Sequence, residues 1–315
     1  STTRRWVLFP WGCLSIAIVL GGRWAYLELG WGGYWAWDPV ENASLFPWLT
    51  GTAYLHSILI QEKKNMLKGW NIILIMLTFT LTIFGTYLTR SGIISSIHAF
   101  AATDLGIWFF GFIVIIVVFN IIMLYLNKDI LKSQNKLDSV LSRESGFLFN
   151  NMLFVAICIA VLWGTMYPVI SEAFTGTQIT LGPSYFNKVI QPFGVILVFL
   201  TGVGPLLSWR KTSVKSIKRN FTIPIILSAI ITLIWLSVYK VFSFYPVIFT
   251  FLVLFVIIVI IFEFQKAISA RKRTKNENFL NAFKNLINKN RTRYGGYIVH
   301  LAIMIMTIGF IGKAF

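Results

Sequence analysis

The sequence predicts an all-α fold, a polytopic integral membrane helical bundle of about nine transmembrane helices with its N-terminus on the basic, inner side. Hydrophobic residues make up 57% of the 315 residues and charged residues only 12%, whereas a typical soluble domain has about 25% charged residues. The mean hydropathy is +0.74. Because a soluble fold of this size could not cover its surface with so few charges, we expect most of the chain to lie in a membrane.

Individual spans follow from apolar runs of ~17–25 residues, the length that crosses a bilayer as a helix. The first run shows no small-residue cleavage site, so we expect it to be retained as a helix. The seventh and eighth runs are separated only around Ser243 and Pro246. We treat 1–315 as a single transmembrane domain, with spans at 6–29, 45–61, 70–90, 105–126, 150–170, 188–209, 222–242, 244–265 and 295–313.

The charge pattern sets the orientation. There are 28 Lys and Arg against 11 Asp and Glu, a net charge of +17. With the N-terminus inside, most of these cations fall on inner segments, as the positive-inside bias requires. This accounts for the basic composition without nucleic acid as a partner. The basic inner loop 266–293 is expected to be a solvated loop or a short surface helix. Cys13 and Cys158 lack CxxC spacing, which excludes a disulfide scaffold, a zinc cluster or a thiol relay carried by this chain.

An outer segment at 24–48 is rich in aromatic residues: WAYLELGWGGYWAWDPVENASLFPW. It holds five of the 12 tryptophans of the chain. One interpretation is an aromatic belt at the membrane interface; the other is a docking shelf for a flat aromatic ligand, which the intervening glycines would let come close to the backbone. Asp38 precedes Pro39 at a predicted helix start, and capping alone could account for it.

Of the three histidines, two are predicted to lie at the same depth within the membrane and the third in an outer loop. His56 lies five residues before the inner end of its span at Gln61, and His300 lies five residues after an inner start at Gly295. Both are therefore about 7–8 Å from the same boundary. They could ligate haem iron as a bis-imidazole pair, or form unrelated hydrogen bonds across helix interfaces. His98 lies in an outer histidine loop, 90–104, together with Arg90, which could pair with a ligand carboxylate or with lipid headgroups.

Several blocks of sequence match one family. WGGYWAWDPVENASLFPWL closely resembles the tryptophan-rich "WWD" signature of the haem-handling proteins of cytochrome c maturation. Further blocks, which occur in the same order as in the family, narrow the resemblance to the CcmF type, the haem lyase component. They cover nearly the whole chain: GTAYLHS, TRSGIISSIHAFA, NNMLF and GTMYPVI, GPSYFN, GVGPL and YGGYIVHL.

The resemblance implies two haem sites. A transient haem would be held at the outer face and joined to the CxxCH thiols of apocytochrome c, with His98 as one axial ligand to its iron. A permanent b-type haem within the membrane would be ligated by His56 and His300. The outer site would be lined by Trp31, Tyr34, Trp35, Trp37 and Trp48, with Asp38 in the same cofactor-binding set and Arg23 and Arg90 as propionate contacts.

One departure from the family concerns the first outer histidine, which lies upstream of the WWD segment in the family and has no counterpart between Ser1 and Trp24. We therefore expect an N-terminally incomplete or split-gene chain whose partner supplies that histidine and the upstream helices. Tyr34 also stands where many members carry Trp. Split forms favour the mitochondrial inner membrane, with the bacterial cytoplasmic membrane as the alternative.

The resemblance thus implies part of a cytochrome c haem lyase whose partners are a haem chaperone, apocytochrome c, other maturation subunits and the lipid membrane. Two alternatives are a non-catalytic structural subunit that retains the fold, and a transporter of haem or another amphiphile. Transporters of this kind tend to show internal repeats, and no convincing repeat relates the two halves of this chain.

Overall fold

The computed structural model describes residues 2–30, 33–94, 96, 105–133, 135 and 137–312, and across these ranges it is helical and contains no strand. The predicted all-α class is confirmed. The helices are α1 (Thr2–Glu28), α2 (Pro39–Lys64), α3 (Lys68–Ser91), α4 (Leu105–Leu126), α5 (Arg143–Thr175), α6 (Pro183–Val203), α7 (Val214–Tyr239), α8 (Phe244–Lys275), α9 (Phe279–Lys289) and α10 (Arg291–Gly312).

The boundary between the seventh and eighth predicted spans is a true helix break. Lys240 adopts a left-handed conformation (φ 54°), and its N–H donates to the Leu236 carbonyl, which ends α7. Ser243 is the N-cap of α8, which begins at Phe244. The sixth span ends earlier than predicted, because α6 passes into a 3₁₀ turn at Gly204–Leu206 that contains Pro205, a residue without an N–H for the helical ladder.

Eight of the described helices are long and apolar enough to cross a membrane: α1, α3, α4, α5, α6, α7, α8 and α10. Their number and length make this chain an integral membrane protein. The helix α2, which contains the predicted span 45–61, is 26 residues long but is not one of the eight. The difference lies in its polar side chains, which lower its hydropathy.

These polar side chains of α2 are partnered by the neighbouring helices. Thr52 Oγ1 accepts from the Trp11 indole N–H of α1 at 2.8 Å. From α3, Thr78 donates to Thr50 Oγ1 at 2.8 Å and the Asn71 amide donates to Gln61 at 2.6 Å. Polar groups can lie at membrane depth when other helices satisfy them in this way. A polar helix is therefore compatible with a position inside the bundle.

The chain forms two compact units, whereas the apolar pattern predicts one transmembrane domain. Unit 1 comprises 1–137 and 147–193, and unit 2 comprises 138–146 and 194–315. In unit 1 the core lies around α2, whose Phe46 and Ala53 are completely buried. In unit 2 the core lies along α8, where Val256 is completely buried and packs in one cluster with Tyr297 and Met304 of α10.

The basic stretch 266–293 is mostly helical. It comprises the end of α8, the short helix α9 and the first residues of α10. Ala282 and Leu286 of α9 are buried in the core of unit 2, whereas Phe279 and Leu280 are exposed. A helix with one buried and one exposed apolar face fits the surface of a membrane.

Candidate functional site

The tryptophan-rich segment enters α2 through a reciprocal capping box. Asp38 Oδ2 accepts from the Val40 N–H at 3.0 Å, and Glu41 Oε2 accepts from the N–H groups of Ala36 (2.9 Å) and Asp38 (3.3 Å). The Ser96 hydroxyl also donates to Asp38 Oδ2, at 2.7 Å. Asp38 therefore fixes the start of α2 and ties it to the segment after α3. Its predicted contact with a cofactor remains a prediction.

Trp37 is held in an uncommon backbone conformation, with φ at 60°. Its ring stacks on Phe186 of α6, with centroids 4.9 Å apart and planes 8° apart, and its indole N–H donates to Asn187 Oδ1 at 2.9 Å. A bulky residue rarely adopts positive φ, so these two contacts compensate for a strained turn. One face of the Trp37 ring is consequently covered by protein.

Trp35 lies edge-on to Trp37, with centroids 6.0 Å apart and an interplanar angle of 87°. The Trp35 indole nitrogen is buried and has no hydrogen-bond partner among the residues that the structure describes. Buried indole N–H groups usually find a partner. The described residues therefore leave this donor unsatisfied.

The turn before Trp35 touches the end of α1 closely. A Cβ placed on Gly22 would lie 2.6 Å from the Tyr34 carbonyl oxygen, so only glycine permits this approach. The Tyr34 side chain remains exposed, and partial burial raises the pKa of its phenol, so that Tyr34 is neutral near neutral pH. The turn thus presents an aromatic, uncharged surface.

A groove of about 230 Å³ lies between α1 and the start of α2. Its floor is formed by small residues of α1, Ala17, Gly21 and Gly22, and its walls include Trp24 and Trp35. Small floor residues and indole walls suit a flat apolar ligand. Both interpretations of the aromatic segment, the belt and the shelf, are compatible with an open groove at this level.

Trp48 lies apart from this groove. It is nine residues beyond Pro39, about 13 Å along α2. There it stacks on Trp11 of α1, with centroids 6.1 Å apart and planes 22° apart, and its N–H donates to Ser15 at 2.8 Å. The structure therefore places Trp48 in the α1–α2 interface, whereas Trp35 and Trp37 lie at the turn.

The remaining predicted outer residues are only partly described. Arg23 is exposed near the end of α1, and Arg90 is half-buried in the last turn of α3. Trp31 and His98 lie outside the described residues. Their roles at an outer site stay predictions.

His56 is held within unit 1 between two aromatic rings of α5. The ring centroids of Phe147 and Phe154 lie 5.9 Å and 6.0 Å from that of the imidazole. Its Nδ1 lies 2.8 Å from the Thr52 carbonyl oxygen, and because a carbonyl only accepts, Nδ1 carries the proton. The lone pair is then on Nε2, the tautomer in which a histidine ligates a metal through that nitrogen.

Asn151 lies on the same stripe of α5 as Phe147 and Phe154, four residues after the first and three before the second. It is completely buried, and neither its amide nitrogen nor its amide oxygen has a hydrogen-bond partner among the described residues. Native interiors rarely leave such groups unsatisfied. The stripe that faces His56 therefore has unused hydrogen-bonding capacity. Sequence reasoning assigned no role to these three residues, although Asn151 and Phe154 lie in the NNMLF block of the family resemblance.

His300 lies on α10 within unit 2. Its neighbours at helical spacing, Tyr297 and Met304, are 2% and 1% exposed, and both pack in the core cluster with α8. Residues three and four apart share one helix face. The backbone thus places His300 on the inward-facing stripe of α10, which apolar periodicity alone did not reveal.

Comparisons with known proteins agree with this architecture. A family model described as cytochrome C assembly protein matches residues 1–95. The cytochrome c-type biogenesis protein CcmF of Pseudomonas aeruginosa is 41% identical over 211 residues, which cover 67% of this chain and 32% of that protein. CcmF of Escherichia coli is 38% identical over 242 residues, covering 76% of this chain and 37% of the relative.

A solved structure described as cytochrome c heme lyase CcmF also matches. Its TM-score is 0.75 at 32% sequence identity, and the match covers 98% of this chain and 44% of that one. The chain spans about a third of the length of the curated relatives it matches.

Fold and site together define a polytopic helical membrane protein with an aromatic segment between its first two helices and a histidine inside each unit. The chain belongs to the CcmF-type proteins of the cytochrome c assembly family.

Proposed function

We propose that the protein acts in cytochrome c biogenesis as a haem-ligation subunit. It would hold haem at the outer membrane face and promote its covalent, thioether attachment to the CxxCH segment of apocytochrome c. The aromatic groove beside Trp35 and the turn at Trp37 support this role for the outer site. As the family resemblance implies, Trp31 and Tyr34 would contribute to the same haem site, with His98 as an axial ligand and Arg23 and Arg90 as propionate contacts.

We further propose that His56 and His300 ligate a resident b-type haem within the membrane. The observation that carries this proposal is the setting of His56: its proton is fixed on Nδ1 by Thr52, its lone pair is on Nε2, and Phe147 and Phe154 flank its ring. A neutral imidazole among aromatic rings fits bis-histidine haem ligation. The unsatisfied amide of Asn151 on the same stripe also fits a bound group.

The residues of the chain would contribute positioning more than acid–base chemistry. Thr52 orients the imidazole of His56, and the two phenylalanines exclude water from it, which also tunes a haem potential. When bound, the resident haem would supply the one-electron chemistry that keeps the substrate haem reduced. At the outer face, the aromatic shelf would orient a flat ligand so that the incoming thiols meet it in one geometry.

The partners are proposals as well. They are a haem chaperone, apocytochrome c and other maturation subunits. The relatives compared above are bacterial proteins, which favours the bacterial cytoplasmic membrane, the second of the two locations expected from sequence, over the mitochondrial inner membrane.

Reduced-minus-oxidised spectra of the purified membrane complex test the resident site. We expect His56→Ala and His300→Ala each to abolish the b-type spectrum, because each removes one axial ligand. The matched control is His98→Ala, which should keep that spectrum while blocking covalent attachment, as measured by cytochrome c yield.

Unchanged haem content in both intramembrane variants would refute the resident site. A normal cytochrome c yield in His98→Ala would refute the outer ligand. A wild-type complex without any b-type spectrum would instead indicate a structural subunit that retains the fold.

A further inference from the structure

A basic cavity of about 360 Å³ lies entirely within unit 2. Its charged lining consists of four cations against one carboxylate: Arg143, Arg219, Lys266, Arg293 and Glu263. These residues come from the first two turns of α5, α7 and α10 and from the second half of α8. Those helix ends are the ones that the charge pattern assigns to the inner membrane face. The cavity therefore opens at the inner boundary of the membrane.

The single carboxylate of the cavity is already engaged. Glu263 Oε2 lies 2.6 Å from the Arg293 guanidinium, and Glu263 Oε1 lies 3.8 Å from the Lys266 ammonium. Glu263 also attracts the Arg143 guanidinium, so this one carboxylate is shared by three of the four cations that line the cavity. Like charges gathered in a partly desolvated space repel one another. An anion from outside the chain would relieve that repulsion.

Arg143 is pre-positioned to receive such an anion. Its Nη2 donates to the Pro205 carbonyl, and its guanidinium lies over the Trp209 ring, 5.4 Å from the centroid. Its Nε atom is buried and has no hydrogen-bond partner among the described residues. A fixed guanidinium with an unused donor is suited to bind a carboxylate or a phosphate.

The cavity and His300 share one stripe of α10. Arg293 precedes His300 by seven residues, two helical turns, which is about 10.5 Å along the axis. Between them, Tyr297 is 2% exposed and accepts a hydrogen bond at 3.4 Å from the Arg293 Nε–H. The stripe thus runs from the cations at the inner boundary to the proposed ligand at membrane depth. A macrocycle on His300 with its propionate edge toward the inner face would direct its carboxylates to the cations.

We propose that this basic cavity binds the propionate carboxylates of the haem that His300 ligates. The proposal rests on the resident haem of the proposed function and adds its orientation, with the propionate edge toward the inner membrane face. Cations near a haem favour the ferrous state, which carries one positive charge fewer. The cavity would therefore retain the haem and raise its reduction potential.

The phosphate of an anionic phospholipid is the competing ligand, since basic pockets between helices at this face also bind such headgroups. The shared stripe with His300 favours the propionates. The two ligands predict different outcomes, because only the propionates connect the cavity to the haem spectrum and potential.

The test uses the intact, haem-containing complex and the double variant Arg219→Gln/Lys266→Gln, whose side chains are exposed and whose loss should not disturb packing. Lys218→Gln and Lys272→Gln, on the same two helices but outside the cavity lining, are the matched controls. We expect the double variant to keep a bis-histidine spectrum, to shift the haem midpoint potential downward and to lose haem roughly tenfold faster on dilution into apomyoglobin. Arg143→Lys should give a smaller shift in the same direction, because it keeps the charge but loses the guanidinium fork.

Three outcomes separate the possibilities. A potential and haem retention equal to those of the wild type and the controls would overturn the propionate site. If mass spectrometry then showed that only the cavity variants lose co-purified phosphatidylglycerol, the cavity would be a phospholipid site. A wild-type complex without b-type haem would refute the proposed function, and the propionate site with it, before any cavity variant is compared.

Discussion

Trp37 and Phe186 stack face to face, 149 residues apart in the sequence, with ring centroids 4.9 Å apart and planes 8° apart. The contact fastens the aromatic turn between α1 and α2 to the start of α6. Because Phe186 covers one face of the Trp37 ring, only the other face or the edge of that ring can contact a ligand. Trp35, which meets Trp37 edge-on, lines the groove between α1 and α2, so it is the better placed of the two to contact a flat ligand there.

The contribution of the hydrogen bond between Trp37 and Asn187 to the free energy of unfolding can be measured separately from that of the ring stack. Trp37→Phe keeps an aromatic ring on Phe186 but removes the N–H that donates to Asn187, so we expect a loss of roughly 0.5–1 kcal/mol in the free energy of unfolding. Asn187→Ala should cost a similar amount, and the double variant should cost less than the two losses added together. Thermal unfolding of the whole chain in detergent, followed by circular dichroism, measures all three. Additive losses would contradict a direct interaction.

Gly22 and Gly12, both on α1, form a matched pair for testing whether the turn must lie close to α1. Gly22→Ala places a Cβ 2.6 Å from the Tyr34 carbonyl oxygen, whereas a Cβ at Gly12, outside the groove lining, meets nothing within 4 Å. We expect Gly22→Ala to displace the turn and reduce cytochrome c yield severalfold. Gly12→Ala should leave the yield unchanged, or gain up to about 1 kcal/mol of helix stability. Equal yields from the two variants would show that the close approach is not needed for function.

Two substitutions of Asp38 distinguish a role in capping α2 from a role in binding the cofactor. Asp38→Asn keeps an acceptor for the Val40 N–H and for the Ser96 hydroxyl, so it should cost little stability. Asp38→Ala removes the cap and should cost about 1 kcal/mol. If attachment activity follows this order and tracks the unfolding temperature, Asp38 acts through the helix start. A strong loss of activity in Asp38→Asn at wild-type stability would instead indicate direct contact with the cofactor.

Substitution of Trp48 tests whether this residue acts at the α1–α2 interface or in the outer site. Trp48→Phe should lose the hydrogen bond to Ser15 and part of the stack on Trp11, a cost of roughly 1–2 kcal/mol. Because Trp48 lies about 13 Å along α2 from its start at Pro39, cytochrome c yield per folded molecule should fall less than in Trp35→Phe. The measurement is yield normalised to folded protein. A larger loss for Trp48→Phe than for Trp35→Phe would place Trp48 in the outer site.

Much of the fold could be read from the sequence because helix formation in a membrane depends on local composition. Apolar runs of bilayer length identify the spans, and the break around Ser243 and Pro246 separates two of them. The Gly204–Leu206 turn was not predicted, and it ends the sixth helix before residue 209. The resemblance carried by the WWD segment and the positions of His56 and His300 indicated the haem chemistry. The helix α2 was predicted from the same evidence, although its polar side chains make it the least membrane-like of the long helices.

Packing between helices was decided only by the tertiary structure. In a membrane, a residue that faces lipid and a residue that faces another helix are equally apolar, so hydropathy does not distinguish them. The sequence therefore did not reveal that Trp48 meets Trp11, that Phe147 and Phe154 flank His56, or that four cations from four helices line one cavity. Sequence by itself determined which segments are helices and which residue types carry the chemistry. The three-dimensional arrangement decided which of them meet, because contacts between distant segments depend on the shapes of helix faces that no single stretch of sequence contains.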